Sequence, residues 1–213
     1  MIVIVTHNGN QCLIDLLSDI SKYEQNNNIC IVDNKSTDIN HLKFLKQKED
    51  EGYNVLYNPK DNYVLGAYKY ALENLKSDVW YFLLDSLRIK HDVFSYVRPL
   101  LTENNIYALI TAHPGLYENQ DVITYLLNKH INYSYNKMLT FNTFFSLDSV
   151  VRKVKDQWPL PTNKFEDMCT EIISSIIFDK NNIEIKSIYE FEPELSSDPN
   201  AYYFFYKIYR GRA

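Results

Sequence analysis

The sequence predicts an α/β fold in which a central, mostly parallel sheet is flanked by helices. Three observations predict it. Over residues 1–90, short β-rich runs alternate with segments whose apolar residues recur at helical spacing. The segments between runs are long enough for the helical crossovers that parallel strands need. The run 79–84 is apolar throughout, the pattern of a strand covered on both faces.

The elements follow in order. Residues 1–6 form a first strand, and 11–23 a helix with Leu13, Leu16, Leu17 and Ile20 inward. Residues 26–28 turn into a second strand, 29–32, which closes on Asp33. A polar loop, 34–38, leads to a helix over 39–48 with Leu42 and Leu45 on one face. The strand 53–57 is stopped by Asn58-Pro59. A helix over 63–75 turns Leu65, Tyr68, Leu72 and Leu75 inward, before the fourth strand at 79–84.

The second half is less regular. Strands are expected at 107–111 and 183–189, a β-rich run at 139–147 and a short helix at 149–155. Pro159 and Pro161 bracket a turn. A helix over 165–178 places Met168, Ile172, Ile173 and Ile176 inward. The polar, Tyr-rich stretch 116–137 reads as a mobile or acceptor-facing segment, and 190–200 as a polar loop. The aromatic stretch 202–209 ends abruptly, as in a piece of a longer protein.

With 213 residues, 46% of them hydrophobic, the chain can bury one large core. No run approaches a membrane span, and residues 2–5 are too short for a signal peptide. A net charge of −5 argues against nucleic acid as a partner but leaves room for a small phosphate. Cys12, Cys30 and Cys169 are scattered and odd in number, matching neither a disulfide framework nor a zinc site and pointing to a reducing, cytoplasmic compartment.

In parallel α/β sheets, ligands bind beyond the carboxyl ends of the strands. The residues there are Thr6-His7-Asn8, Asp33-Asn34, Asn58 and Asp85-Ser86, all polar. Gly9 gives the first loop conformational freedom. A carboxylate at Asp33 can accept the N3–H of uracil or hold a ribose hydroxyl; the alternative, capping the next helix, suits Ser36, Thr37 or Asp38 better. Asp85 can bind a cation or a sugar hydroxyl, or cap its own loop.

The segments Val-Ile-Val-Thr-His-Asn-Gly, Ile-Val-Asp-Asn-Lys-Ser-Thr-Asp, Asn-Tyr-Val-Leu-Gly-Ala-Tyr-Lys-Tyr-Ala-Leu and Trp-Tyr-Phe-Leu-Leu-Asp-Ser-Leu occur in the order and spacing that resemble the nucleotide-binding half of family-2-type glycosyltransferases of the GT-A fold. The resemblance covers residues 2–90 and implies one GT-A domain, with 1–90 the nucleotide-binding half and 91–213 the acceptor and catalytic half. It implies a UDP-sugar donor, a glycan or glycoprotein acceptor, and transfer of a hexose or deoxyhexose. Thr6, His7 and Asn8 would line the uracil pocket, Asp33 would pair with the base, Asn34 would belong to the same donor site, and Gly66 with Lys69 would lie near the ribose or phosphates. Asp85 and Ser86 match the start of the family's Asp-x-Asp motif, but Leu87 stands where its second Asp is expected. A departing diphosphate needs positive charge. The implied source is either Mn²⁺ or Mg²⁺ held at Asp85 with the phosphates and water, or in part a cationic side chain such as Lys69 or Arg88.

Glu166-Asp167 resembles the acidic pair opening a helix in inverting members, with Asp167 as general base. The alternative is an acidic first turn complementing the helix dipole. His113, before Pro-Gly, reads as a turn residue or a sugar contact; Trp158 as core or a stacking platform; and the tyrosines at 125–135 as surface residues or an acceptor platform. The Asn bias is the composition of an AT-rich genome; with the abrupt end it also resembles large chlorovirus glycosyltransferases that decorate the capsid glycan, which would work in the host cytoplasm. A retaining transferase, a nucleotidyltransferase and a catalytically silent binding module are the rival readings; the absence of Lys and Arg from residues 6–12 counts against the nucleotidyltransferase.

Overall fold

The computed structural model describes residues 1–60, 62–112, 120–129, 131, 137–190 and 200–207. His113, Tyr133, Tyr135 and most of 190–200 lie outside the described residues.

The first half has the expected alternation: β1 (Ile2–Thr6), α1 (Asn10–Ile20), β2 (Ile29–Asp33), α2 (Ile39–Asp50), β3 (Asn54–Tyr57), α3 (Tyr63–Asn74) and β4 (Val79–Leu84). A short β5 (Leu87–Ile89) and α4 (Val93–Val97) follow, then β6 (Asn105–Ala112), α5 (Gln120–Asn128), β7 (Met138–Leu139), β8 (Phe144–Leu147), α6 (Asp148–Val154), α7 (Lys164–Lys180), β9 (Glu184–Glu190) and β10 (Phe205–Lys207). Eight strands form one sheet in the order β3-β2-β1-β4-β8-β6-β7, with β9 also paired to β6. The β3-β2-β1-β4 half is parallel, and β8 joins β4 antiparallel.

Alternation along β1 explains the layering. Ile2 and Ile4 face a core with Leu13, Leu16 and Leu17 of α1 and Leu45 of α2. Val3 and Val5 face the opposite core, with Leu65, Tyr68 and Leu72 of α3 and Ile172 and Ile176 of α7. Successive side chains of a strand point to opposite faces, so a strand apolar at every position must be covered twice.

Several local expectations change. The β-rich run 139–147 is two strands, broken at Phe141 and Asn142, both left-handed with φ of 60° and 50°. Residues 120–128 of the polar stretch are helical, with Val122 and Leu126 buried. Met168 is 49% exposed, because the buried stripe of α7 runs instead through Cys169, Ile172, Ile173 and Ile176. Trp158 is core, edge-on to Phe82 and Phe144 at 6.4 and 6.2 Å. In α2 the fully buried residues are His41 and Leu45, while Leu42 is only half-buried.

Gly66 shows why one position of α3 has no side chain. A Cβ there would lie 2.5 Å from both Cβ and Cγ of Asn62, the residue preceding the helix. Asn62 in turn accepts a 3.1 Å hydrogen bond from Asn58 at the end of β3. Gly66→Ala is expected to destabilise the chain by about 1–3 kcal/mol through overpacking. Chemical denaturation of this variant and of Gly66→Ala combined with Asn62→Gly checks the cause, since the second change should recover most of the loss.

Candidate functional site

Register brings the polar strand ends together. Thr6 of β1 is opposite Asp33 of β2, Asp33 is opposite Tyr57 of β3, and Val5 is opposite Leu84 of β4. The ladder runs one step past the strands: Asn34 N–H donates to the Thr6 carbonyl at 2.9 Å, Asn58 N–H to Asp33 at 2.9 Å and Asp85 N–H to Val5 at 3.1 Å. Thr6, Asp33, Asn34, Asn58 and Asp85 therefore share one edge, all buried.

Their side chains are tied together. Thr6 Oγ1 donates to Asp85 Oδ2 at 2.8 Å. His41, fully buried beneath them, lies 3.5 Å from Thr6 Oγ1 and 3.7 Å from Asp33 Oδ1. Burial holds the His41 imidazole below its ordinary pKa, so it is neutral at pH 7 and acts as a hydrogen-bonding spacer. No motif marks His41; Asp38, the N-cap, accepts from the N–H groups of Asn40 and His41 and so fixes where the ring enters.

The loop after β1 and the loop after β2 form one unit. Asn8 Oδ1 accepts from the N–H groups of Thr37 and Asp38 at 3.0 and 2.9 Å, and Asn8 N–H donates to Ser36 Oγ at 2.8 Å. Ser36 N–H donates to the Asp33 carboxylate. The exposed His7 ring lies with Nδ1 2.9 Å from the Asn34 carbonyl and Nε2 3.2 Å from Asn8 Nδ2, which places the proton on Nδ1. The conformational freedom expected of Gly9 is not used there, since its φ is −109°. Asn8 takes the left-handed turn instead, at φ 51°. Lys35, in the loop after β2, and Tyr63, the first residue of α3, do the same at 61° and 55°. Such residues collect where a site over-determines the backbone.

β5 and β10 close the far side. They pair antiparallel, with Lys207 opposite Leu87 and Phe205 opposite Ile89. Lys207 is only 8% exposed; its ammonium hydrogen-bonds Ser86 Oγ and lies 5.1 Å above the Phe141 ring. Leu87 is fully buried and its side chain offers no oxygen. Arg88 is not available to a phosphate: its Nε bonds Asp19 Oδ2 at 2.6 Å and its Nη2 bonds Asp19 Oδ1 at 3.1 Å, which fastens β5 to α1.

From the other direction α7 presents Asp167 and, one turn on, Glu171. Asp167 is buried; Oδ2 accepts from Lys164 at 2.6 Å, and Oδ1 has no partner among the described residues. The buried Tyr68 hydroxyl is likewise unpaired among the described residues, within the electrostatic reach of Asp167. Burial, chiefly, and then the charge of Asp167 push the Glu171 carboxyl up to about 8, although the Phe141 N–H bonds it. Asn142 Nδ2 donates to Thr170 Oγ1 at 2.8 Å, anchoring the left-handed turn to α7.

Two sequence-predicted residues stand apart. Glu166 points away from Asp167 and accepts from Thr162 N–H and Oγ1, both at 2.8 Å, while the Asn163 side chain caps its N–H. It closes the helix start rather than serving the strand ends. Lys69 pairs with Asp156 at 3.0 Å, on the α6 side of α3, and not with the strand-end carboxylates. Gly66 makes room for Asn62. A cavity of about 490 Å³ lies against a different face of α7, lined by Tyr125, Lys129, Leu160, Glu166, Ile173 and Ile177, and shares none of the strand-end residues.

Residues 1–152 match the family model described as glycosyl transferase family 2. The chain belongs to that family. No curated protein matches the sequence. Among solved structures, the family-2 fold seen here is similar to GalNAc-T7 crystallised with UDP, GalNAc and Mn²⁺, at a TM-score of 0.61 and 10% identity over 87% of this chain and 41% of that one. It is similar to S. aureus TarS 1-349 in complex with UDP-GlcNAc, at 0.58 and 14% identity over 100% of this chain and 59% of that one. A Bacillus anthracis protein described as a putative glucose-1-phosphate thymidylyltransferase, in complex with sucrose, follows at 0.54 and 10%, over 90% and 86%. The chain thus spans 41% and 59% of the two transferases. These likenesses establish the GT-A fold of this family-2 domain.

The donor set that Asp85 and its neighbours offer a divalent cation is sparse. It supplies one carboxylate already accepting from Thr6, a buried leucine, and an ammonium bonded to the adjacent serine. Among the described residues no three His, Cys, Asp or Glu side chains are grouped to hold a metal. This set does not fit a dication resident in the free family-2 domain; an ion there would take its other ligands from phosphate and water.

Glu171 makes stability depend on pH with a fixed sign. Its folded value of about 8 lies above the ordinary 4.5, so the unfolded chain releases this proton first. Its contribution is complete below about 4.5 and is lost as pH rises through about 8. Glu171→Gln is expected to melt at the wild-type temperature near pH 4.5 and several degrees higher at pH 8, read by calorimetry.

Proposed function

We propose that this chain is the donor-binding and catalytic domain of a UDP-sugar-dependent glycosyltransferase. It transfers a hexose or deoxyhexose to a hydroxyl of a glycan or glycoprotein acceptor, with inversion. The observation that carries the reading is the placement of Asp33, Thr6 and Asp85 in register along one buried carboxyl edge. Membership of family 2 and the likeness to proteins crystallised with UDP and UDP-GlcNAc support it.

In this mechanism Asp33 accepts the uracil N3–H, and His7, exposed above it, offers a ring face to the base. Asn34 and Asn8 shape the pocket, and Asp85 with Ser86 faces the ribose and diphosphate. Asp167 is the general base. One of its oxygens has no partner among the described residues, which is the state a proton acceptor needs. The acceptor oxygen attacks the anomeric carbon as the bond to the β-phosphate oxygen breaks, and the acceptor proton passes to Asp167. Mn²⁺ or Mg²⁺ arriving with the donor would supply Lewis-acid charge to the diphosphate. Residues 1–213 act as one domain, with the nucleotide met by the first half and the acceptor by the second.

A binding module without turnover is the second reading, favoured by Leu87 at the second position of the acidic motif. Calorimetry against UDP, GDP, CMP and dTDP tests the donor assignment: UDP should bind best, and Asp33→Asn should weaken it at least as much as a lost charged hydrogen bond, about 1.5–3 kcal/mol. Preference for another nucleotide would remove the UDP assignment.

Asp167→Asn should lower sugar transfer or donor hydrolysis about 10²–10⁴-fold while UDP affinity holds, as for loss of a general base. UDP binding with no hydrolysis by the unsubstituted chain would favour the module.

A further inference from the structure

The charge of a diphosphate must be met by something, and the two cations named for that role from the sequence are committed elsewhere. Arg88 is fixed by Asp19, and Lys69 by Asp156. Lys207 is differently placed. It enters the site from β10, whose register sets it opposite Leu87, one position after Ser86. Phe205, two residues earlier and 1% exposed, packs on Tyr189 and Tyr202 with ring centroids 5.8 and 5.5 Å away. Residues i and i+2 of a strand share a face, so the aromatic anchor that buries Phe205 also directs Lys207 inward.

Burying an ammonium is unfavourable by several kcal/mol unless partners compensate it. Here it bonds Ser86 Oγ and lies over the face of Phe141, itself held in a left-handed conformation at φ 60°.

We propose that Lys207 is the built-in cation of the donor site: its ammonium, held at Ser86 beside Asp85, hydrogen-bonds the diphosphate of the nucleotide and stabilises it as a leaving group, so that donor binding does not require a divalent metal. The proposal rests on the UDP-sugar reading above. When the anomeric carbon–oxygen bond breaks, its electron pair goes to the β-phosphate oxygen. Lys207 keeps its proton and donates a hydrogen bond to the charge that appears there. A hydrogen bond to a charged group contributes about 1.5–3 kcal/mol, or roughly 10–150-fold in affinity.

The test is calorimetry of UDP and of uridine against the full chain, in EDTA and in Mn²⁺, with the unsubstituted chain, Lys207→Met and Lys207→Arg. The unsubstituted chain should bind UDP in EDTA and prefer it to uridine, a preference that shrinks as salt is raised. Lys207→Met should weaken UDP about 10–150-fold and leave uridine unchanged; Lys207→Arg should retain most of the UDP affinity. UDP binding seen only with Mn²⁺, or equal UDP affinity with and without Lys207, overturns the proposal. If Lys207→Met does not fold, the metal dependence of the unsubstituted chain and the Arg variant decide. Failure of both UDP and uridine to bind in either buffer sinks the nucleotide reading itself, an outcome distinct from uridine binding without a diphosphate preference.

Discussion

The structure depends on three parallel strands, β2, β1 and β4, that are buried on both faces and stop at one level. Because helices cover both sides, register cannot slip without turning every apolar side chain toward the wrong layer. The same register sets Asp33, Thr6 and Asp85 side by side where the strands end. Packing of the hydrophobic interior thereby fixes the spacing of the polar edge, and the candidate site follows from the core.

That edge is polar and buried, a combination that is unfavourable unless the groups bond one another. Thr6 donates to Asp85, His41 spaces Thr6 from Asp33, and Asn58 meets Asn34 at 2.8 Å. Toward α7 the satisfaction is incomplete: Asp167 Oδ1, Tyr68 OH, Thr140 Oγ1 and Asn142 Oδ1 lack partners among the described residues. The strand-end side is thus pre-organised by internal bonds, whereas the side facing α7 retains unused hydrogen-bonding capacity among the described residues.

The legible parts of the sequence were those governed by local rules. Strands β1 to β4 and their helices announce themselves by apolar period, and Asp33 and Asp85 by their places at the ends of apolar runs. What escaped depends on contacts distant along the chain. The pairing of β10 with β5 has no local signature, so Lys207 read as part of an aromatic tail and Arg88 as a spare cation. His41 was hidden because helical period favoured Leu42 for the inward face, while the tight cap at Asp38 rotates His41 in. The break at Phe141 and Asn142 was missed because phenylalanine is not a residue that signals a left-handed turn. The acidic pair at the start of α7 divides: Glu166 serves the cap, and Asp167 turns inward.

The bond between Ser86 and Lys207 spans 121 positions of the chain. Loop-closure entropy must be met before such a contact can form, so pairings of this kind mature late. The parallel half can collapse from segments that follow one another in sequence, and its acidic edge can then exist before β10 has paired with β5. During synthesis the ribosome delivers the carboxylates first and the ammonium more than a hundred residues afterwards. The nascent domain therefore passes through an interval in which Asp33 and Asp85 have been made and the residue that will bond Ser86 has not.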